Sequence, residues 1–176
     1  MAGDKGGLQI VICGRGGQGV LFLTRVLDEA ALAAGKNVIS SETHGMAMRG
    51  GSVVSHIRIG SFASPLIRSG QGDILLALSD SEVERNMHLL KKTGGQVYVN
   101  SAASRASAID ASGMAHELGS LVVSNLVLLG FACSHREFPF SFATVKKVLK
   151  RISSPRVLDI NLRALTEGFK RGKFQP

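Results

Sequence analysis

The sequence predicts an α/β fold: a three-layer sandwich around an open, mostly parallel, Rossmann-like sheet with a helical C-terminal tail. Three observations predict it. Short apolar runs alternate with helix-period segments through the first 100 residues, the signature of strands and helices in turn. The glycine-rich stretch GRGGQG (14–19) stands where a strand pattern gives way to a helix pattern, as at the ligand-facing edge of open sheets. Helical patterns then dominate the last third. A chain of 176 residues, 44% hydrophobic and 19% charged, fills one core and is short for two. Residues 1–176 are therefore read as one domain, with 1–6 and 172–176 as extended or disordered ends.

In chain order, LQIVIC (8–13) is a run of mostly branched apolar residues, fitting a strand buried on both faces. From Val20 to Ala34, Leu21, Leu23, Val26, Leu27, Ala30, Ala31 and Ala34 recur at three- and four-residue steps before Gly35, giving an amphipathic helix. NVISSET (37–43) reads as the second strand, expected parallel to the first through a right-handed crossover. HGMAMRGG (44–51) is a second glycine-bearing loop. In SVVSHIRIG (52–60), Val53, Ser55, Ile57 and Ile59 alternate with Val54, His56 and Arg58, as in a strand with one wetter face. Residues 61–72 read as turns around a brief extended PLIRS. DILLALS (73–79) is a buried strand, followed by a helix from Asp80 to Lys92 capped by Asp80 or Ser81. TGG turns into the strand QVYVN, and SAASRASAID (101–110) is a loop with a short extended piece. Helices follow at ASGMAHELG, SNLVLLGFACSH and FATVKKVLKRI, and at LDINLRALTEGFKRG after Pro155.

Composition narrows the function classes. Cys13 and Cys133 lack the spacing of a metal or iron–sulfur ligand set and read as core residues in a reducing compartment. MAGDKGG has no apolar signal region, and no stretch approaches the roughly 18 unbroken apolar residues that span a bilayer. The expectation is a soluble, cytoplasmic chain with no membrane partner. The net charge of +8 lies largely in KKVLKR and FKRGK. With one Tyr, no Trp and no interleaving of aromatic with basic residues, it reads as a solvated surface rather than a nucleic-acid site.

The two glycine loops carry the functional signal. A strand that turns at once into a helix needs positive φ and close backbone approach, which glycine permits. The helix start then offers unpaired N–H groups and a positive dipole end, an anion site. Gly14, Gly16 and Gly19 satisfy G-x-G-x-x-G, with Arg15, Gly17 and Gln18 completing the loop. Taken alone, that pattern suggests a nicotinamide dinucleotide, its ribose held by Glu42, 23 residues after Gly19. A tight turn serving only close packing is the alternative. In the second loop, His44 alone reads as solvated, whereas Arg49 beside Gly50 and Gly51 suits a carboxylate or phosphate. Ser124 and Asn125 are read as caps of the helix they open and Asp28 and Glu29 as a solvated helix face, while Ser101 and Ser104 have only their proximity to Arg105 to suggest an extension of an anion pocket. No Ser/His/Asp set or carboxylate pair can be drawn from spacing, so no catalytic and no metal-binding residue is assigned.

GRGGQG followed by a helix, then ETHGMAMRGGSVVSHIRIG (42–60), resembles the gamma subunit of the 2-oxoacid:ferredoxin oxidoreductases. The indolepyruvate and 2-oxoglutarate branches, with a THG-x-x-x-RGG-x-x-x-S-x-[IV]-R pattern, are the most similar. DILLALS and SNLVLLG extend the likeness from Leu8 to Gly168. The resemblance implies a non-catalytic share of an enzyme that decarboxylates a 2-oxoacid, transfers the acyl group to coenzyme A and reduces ferredoxin. It also implies alpha-, beta- and delta-type partner subunits, or a fused alpha/beta chain, which hold thiamine diphosphate, Mg and the [4Fe–4S] clusters. On this view Gly14, Arg15, Gly16, Gly17, Gln18, Gly19, His44, Arg49, Gly50 and Gly51 contact coenzyme A. The rival is that HGMAMRGG docks partner subunits, with Met46 and Met48 as adaptable apolar contacts. An isolated chain is expected to be inactive and could dimerise through the surface it buries in the complex.

Overall fold

The computed structural model describes residues 7–45, 50–103 and 107–173. Its six-stranded sheet has the order β2-β3-β1-β4-β5-β6. The strands are β1 (Leu8–Arg15), β2 (Val38–His44), β3 (Ser52–Ile59), β4 (Ile74–Ala77), β5 (Gln96–Asn100) and β6 (Ala108–Ile109). β1, β4, β5 and β6 pair in parallel, while β3 runs antiparallel to both β1 and β2. The sheet is thus mostly parallel, with one reversed strand set into it.

That reversal corrects the expected strand–helix–strand unit. β1 and β2 do point the same way, each being antiparallel to β3, but β3 is wedged between them as half of a β2–β3 hairpin. The alternation in 52–60 already carries the reason. Val53, Ser55, Ile57 and Ile59 are buried against the helices, and β3 can take a central place because its other face also finds cover. There His56 is buried and its Nδ1 accepts the Ile67 amide at 3.3 Å, and Arg58 donates to the Ser64 and Leu66 carbonyls and lies over the Phe62 ring. Burial lowers the His56 pKa, which keeps the ring in the neutral form that can accept. PLIRS forms no strand; it is the irregular segment those contacts hold on the sheet.

The helices are α1 (Val20–Ala33), α2 (Asp80–Asn86), α3 (Ala111–Glu117), α4 (Ser124–Ser134), α5 (Phe142–Ile152) and α6 (Pro155–Lys173). One face of the sheet, through Ile10, Ile12, Ile57 and Leu76, packs on α1 and α4, with α5 lying on α1. The other, through Val11, Cys13, Leu75, Ala77 and Val99, is covered by residues of 61–72, by Val83 of α2 and by the 3-10 turn Met87–Leu89. Burial pushes the Cys13 and Cys133 thiols up to about 12, as expected of packed rather than reactive cysteines. α2 ends at Asn86 rather than Lys92, and its cap position is Ser79 rather than Asp80 or Ser81. Among the described residues no helix is long and apolar enough to cross a membrane.

α4 is apolar all round because it is covered all round: β5 lies on one side and α6 on another. α6 begins on Pro155, whose missing N–H costs nothing at a first helical position, and extends to Lys173. Residues 172 and 173 are therefore helical, not part of an extended end. Gly130 and Gly168 let α4 and α6 meet backbone to backbone, each lying where a Cβ would overlap the opposite helix's carbonyl oxygen, Leu165 and Val127 respectively.

Asp28 and Glu29 are not simply solvated. Glu29 pairs with Arg151 of α5. Asp28 accepts the Ser40 hydroxyl at 2.8 Å, while its buried Oδ1 has no hydrogen-bond partner. Burial first, with Glu42 and Glu29 adding and the Ser40 bond opposing, raises its pKa above 3.8. A carboxyl group that protonates more readily when folded weakens the fold as it ionises: its contribution is best below 3.8 and declines as pH rises through the folded value. Asp28→Asn is expected to stabilise the chain at pH 7 by about 1 kcal/mol and to gain nothing at pH 3. Thermal melts at the two pH values measure both.

Candidate functional site

β1 is where the sheet changes direction of travel. The connection leaving β1 leads toward β2 and β3, and the one leaving β4 leads toward β5, so the crevice outside the carboxyl ends of β1 and β4 is the topological switch point, where open α/β sheets take ligands. GRGGQG forms one wall of it. Gly17 and Gly19 have φ of 95° and 84°, a region that favours glycine. Gly14 and Gly16 do not; a Cβ on Gly14 would press on Leu78 and Val20 at 3.0 Å.

The loop's own polar groups divide into those that hold it and those left over. The Gln18 side chain clamps the turn, its Oε1 accepting the Arg15 amide at 2.7 Å and its Nε2 donating to the Leu78 carbonyl at 3.2 Å. The Gly16 amide donates to the Gly51 carbonyl at 2.9 Å and the Gln18 amide to the Arg15 carbonyl at 3.0 Å. Asn125 Nδ2 donates to the Gly19 carbonyl at 3.4 Å. Among the described residues, the amides of Gly17 and Gly19 and those opening α1 at Val20, Leu21 and Phe22 have no hydrogen-bond partner. An anion cradle drawn from residues 14–19 thus narrows to Gly17 and Gly19, joined by the first turn of α1. Arg15 is exposed and its guanidinium donates to Ser81 Oγ at 3.3 Å, spanning the crevice from β1 to the start of α2.

The two glycine loops do meet. They do so because β3 runs antiparallel beside β1, not because they end neighbouring parallel strands. Gly50 and Gly51 precede β3, and a Cβ on Gly16 would stand 3.5 Å from the Gly50 nitrogen. Ser52, next in line, donates its hydroxyl to Glu82 Oε2 at 2.6 Å, and Glu82 is buried, its ion-pair partner among the described residues being the exposed Arg85 at 3.8 Å. The backbone of His44 closes β2 opposite Val53. Its side chain, and Met46, Met48 and Arg49, lie outside the described residues, as do Ser104 and Arg105.

Asn125 satisfies a first-turn amide of α4 as expected, but from within the helix rather than from the cap position. The cap position of α4 is Val123. Asn125 sits inside the helix, buried, its Oδ1 accepting the Leu126 amide at 2.7 Å while its amide group reaches the Gly19 carbonyl. Ser101 donates to Asp80. Asn100 donates to the Leu78 carbonyl at 3.2 Å and exchanges bonds with Ser112 at 2.8 and 3.1 Å. The clamp by Gln18 and the Ser52–Glu82 bond escaped the sequence reading. The four-residue step from Glu82 to Asn86, two buried polar residues on one face of α2, was the available signal for the second. Exposed apolar residues stand at Leu21 (50%), in the first turn of α1, and at Leu121 (62%) and Val122 (74%), in the turn before α4, whose Asn125 bonds to Gly19. Leu21, expected in the core, is instead part of this surface.

The dinucleotide reading fails on geometry. Glu42 lies on β2, an edge strand two positions from β1, so its carboxylate starts about 10 Å of sheet away from the glycine loop.

Comparison with known proteins agrees with this arrangement. The family model for pyruvate ferredoxin/flavodoxin oxidoreductase matches residues 9–171. Indolepyruvate oxidoreductase subunit IorB of Archaeoglobus fulgidus is 32% identical, the match covering 93% of this chain and 94% of the relative. The crystal structure of pyruvate oxidoreductase subunit PORC from Thermotoga maritima superposes with a TM-score of 0.77 at 25% identity, over 94% of this chain and 97% of that one. The fold also recurs, at 24% identity and a TM-score of 0.77, in 32% of a chain of 2-oxoglutarate:ferredoxin oxidoreductase from Magnetococcus marinus, covering 97% of this chain. Two joined glycine loops at the switch point, a reversed β3 and these likenesses together establish that the chain belongs to the pyruvate ferredoxin/flavodoxin oxidoreductase family, as a gamma-type subunit of a 2-oxoacid:ferredoxin oxidoreductase.

Proposed function

We propose that this chain supplies the coenzyme A contact of its oxidoreductase, holding a phosphate of the co-substrate on the unpartnered amides of Gly17 and Gly19 and the first turn of α1. Those amides carry the reading: five donors without a partner among the described residues, at the positive end of a 14-residue helix, are suited to an anion, and coenzyme A brings a diphosphate and a 3′-phosphate. Arg15 and Arg49 add charge, and Gly14, Gly16, Gln18, Gly50 and Gly51 fix the shape of the two loops, with His44 at the end of β2. The Magnetococcus marinus enzyme with this fold was solved with coenzyme A and succinyl-CoA bound, which supports the choice of anion. Alpha-, beta- and delta-type subunits, or a fused alpha/beta chain, would hold thiamine diphosphate, Mg and the [4Fe–4S] clusters and pass electrons to ferredoxin. They would cover Leu21, Leu121 and Val122, since exposed apolar side chains beside a ligand loop suit a partner surface. The isolated chain is then inactive, and any homodimer it forms through that patch stands in for the complex. A cytoplasmic location fits these partners.

Arg15→Ala and Arg49→Ala, each in the assembled enzyme, are expected to raise the KM for coenzyme A about tenfold, the effect of losing one charge-assisted phosphate contact. The 2-oxoacid KM should not move. Loss of co-purification with an unchanged KM in whatever complex remains would favour the docking role of the second loop instead.

A further inference from the structure

The charge of this protein is concentrated in one place. α5 and α6 carry nine of the 21 basic residues and two of the 13 acidic ones, a net of seven positive charges out of eight. The two helices pack on each other. Their junction is a stacked pair, Phe142 of α5 and Phe169 of α6, with centroids 4.4 Å apart. A lysine lies over each ring: Lys146 Nζ is 5.8 Å from the Phe142 centroid and Lys173 Nζ is 4.8 Å from that of Phe169. This brings cations of both helices to one patch and holds their ammonium groups over an apolar floor rather than free in water. Compensation within the fold is slight. Arg151 pairs with Glu29, Arg163 with Asp159 and Lys170 with Glu167, while Lys147, Lys150, Arg156 and Arg171 form no ion pair among the described residues. The patch also lies away from the glycine loops. Phe140, Ser141 and Thr144, which lead into and open α5, border a cavity of about 370 Å³ with Gly7, Leu8 and Gly60, at the amino end of β1, opposite the end that carries GRGGQG.

We infer that the α5–α6 face is a second docking surface, which binds an acidic surface of a partner subunit of the oxidoreductase. Nine cations against two anions on two touching helices leave net repulsion in the free chain; an acidic partner relieves that repulsion and, being charge-matched, fixes orientation and speeds encounter. The Phe142–Phe169 patch lies toward the other end of the sheet from the anion proposed for the glycine loops. The inference rests on the subunit reading but not on the coenzyme A reading.

The test is co-purification of the tagged full chain with its co-expressed partner subunits over a series of salt concentrations. Lys146→Glu, Lys147→Glu, Lys150→Glu and Lys173→Glu are combined in one variant, and a thermal melt establishes that it folds. The wild-type complex should weaken as salt rises, and the variant should retain at least about tenfold less partner near physiological salt. A folded variant that retains partner as the wild type does at every salt concentration overturns the docking face while leaving the subunit assignment intact. Binding of a short DNA duplex by the free chain, lost in the variant with partner retention unchanged, overturns it in favour of nucleic acid.

Discussion

Gly168→Ala is expected to lower stability by about 3 kcal/mol, or roughly 6–12 °C in melting temperature. The added methyl would occupy the position of the Val127 carbonyl oxygen on α4. A carbonyl in mid-helix cannot rotate aside, so α6 must lift from α4, and Leu165, Ala164 and Phe131 lose their packing. Helix propensity pulls the other way, since Ala is favoured over Gly by about 1 kcal/mol, and the overlap outweighs it. Gly172→Ala is the control. Its methyl would meet the Ser134 hydroxyl, which can turn, and crowd the Ser134 Cβ and the Phe131 ring at 2.9 and 3.0 Å without striking helix backbone, so its cost should be about 1–2 kcal/mol, less than at Gly168. Equal losses at the two sites would mean that α6 does not approach α4 as closely as the structure has it.

Gly19→Ala acts on the site. It forces a side chain into φ of 84° and sets its methyl on the Asn125 amide. The backbone term alone costs about 1–3 kcal/mol. The rest falls on geometry: Asn125 must leave the Gly19 carbonyl, and the amides of Gly19 and Val20 turn with the strained residue. In the assembled enzyme the KM for coenzyme A should rise ten- to a hundredfold, because a misplacement of the order of 1 Å at a binding loop has effects of that size. Gly17→Ala, with φ of 95° and nothing within 4 Å of the added methyl, carries the backbone strain without the clash. It should therefore show a smaller rise. If both variants bind coenzyme A as the wild type does, the loop is a packing device.

Much of this arrangement is legible in the sequence, and the illegible parts share a cause. LQIVIC and DILLALS announce central strands because burial on both faces excludes polar residues, and the period of α1 follows from one buried face. The place of β3 is not legible. Its alternating pattern says which face is buried, yet nothing in 52–60 states which strand it joins, and the hairpin back toward β1 is a long-range choice. Asn125 and Gln18 mislead for a related reason: each looks local, a cap or a loop filler, while its bonds reach Gly19 and Leu78, 106 and 60 residues away. Gly168 and Gly130 read as ordinary helix residues until α4 and α6 are laid together. The first glycine loop was recognisable because its constraint, positive φ next to a helix start, is local.

The central claim is that coenzyme A, and not subunit docking alone, occupies the unpartnered amides of the first loop. Hydrogen–deuterium exchange of the assembled enzyme with and without coenzyme A measures this at peptides spanning residues 16–23. The account predicts slower exchange at those amides when coenzyme A is added to the intact complex. Exchange that is slow once the subunits assemble and indifferent to coenzyme A would contradict it.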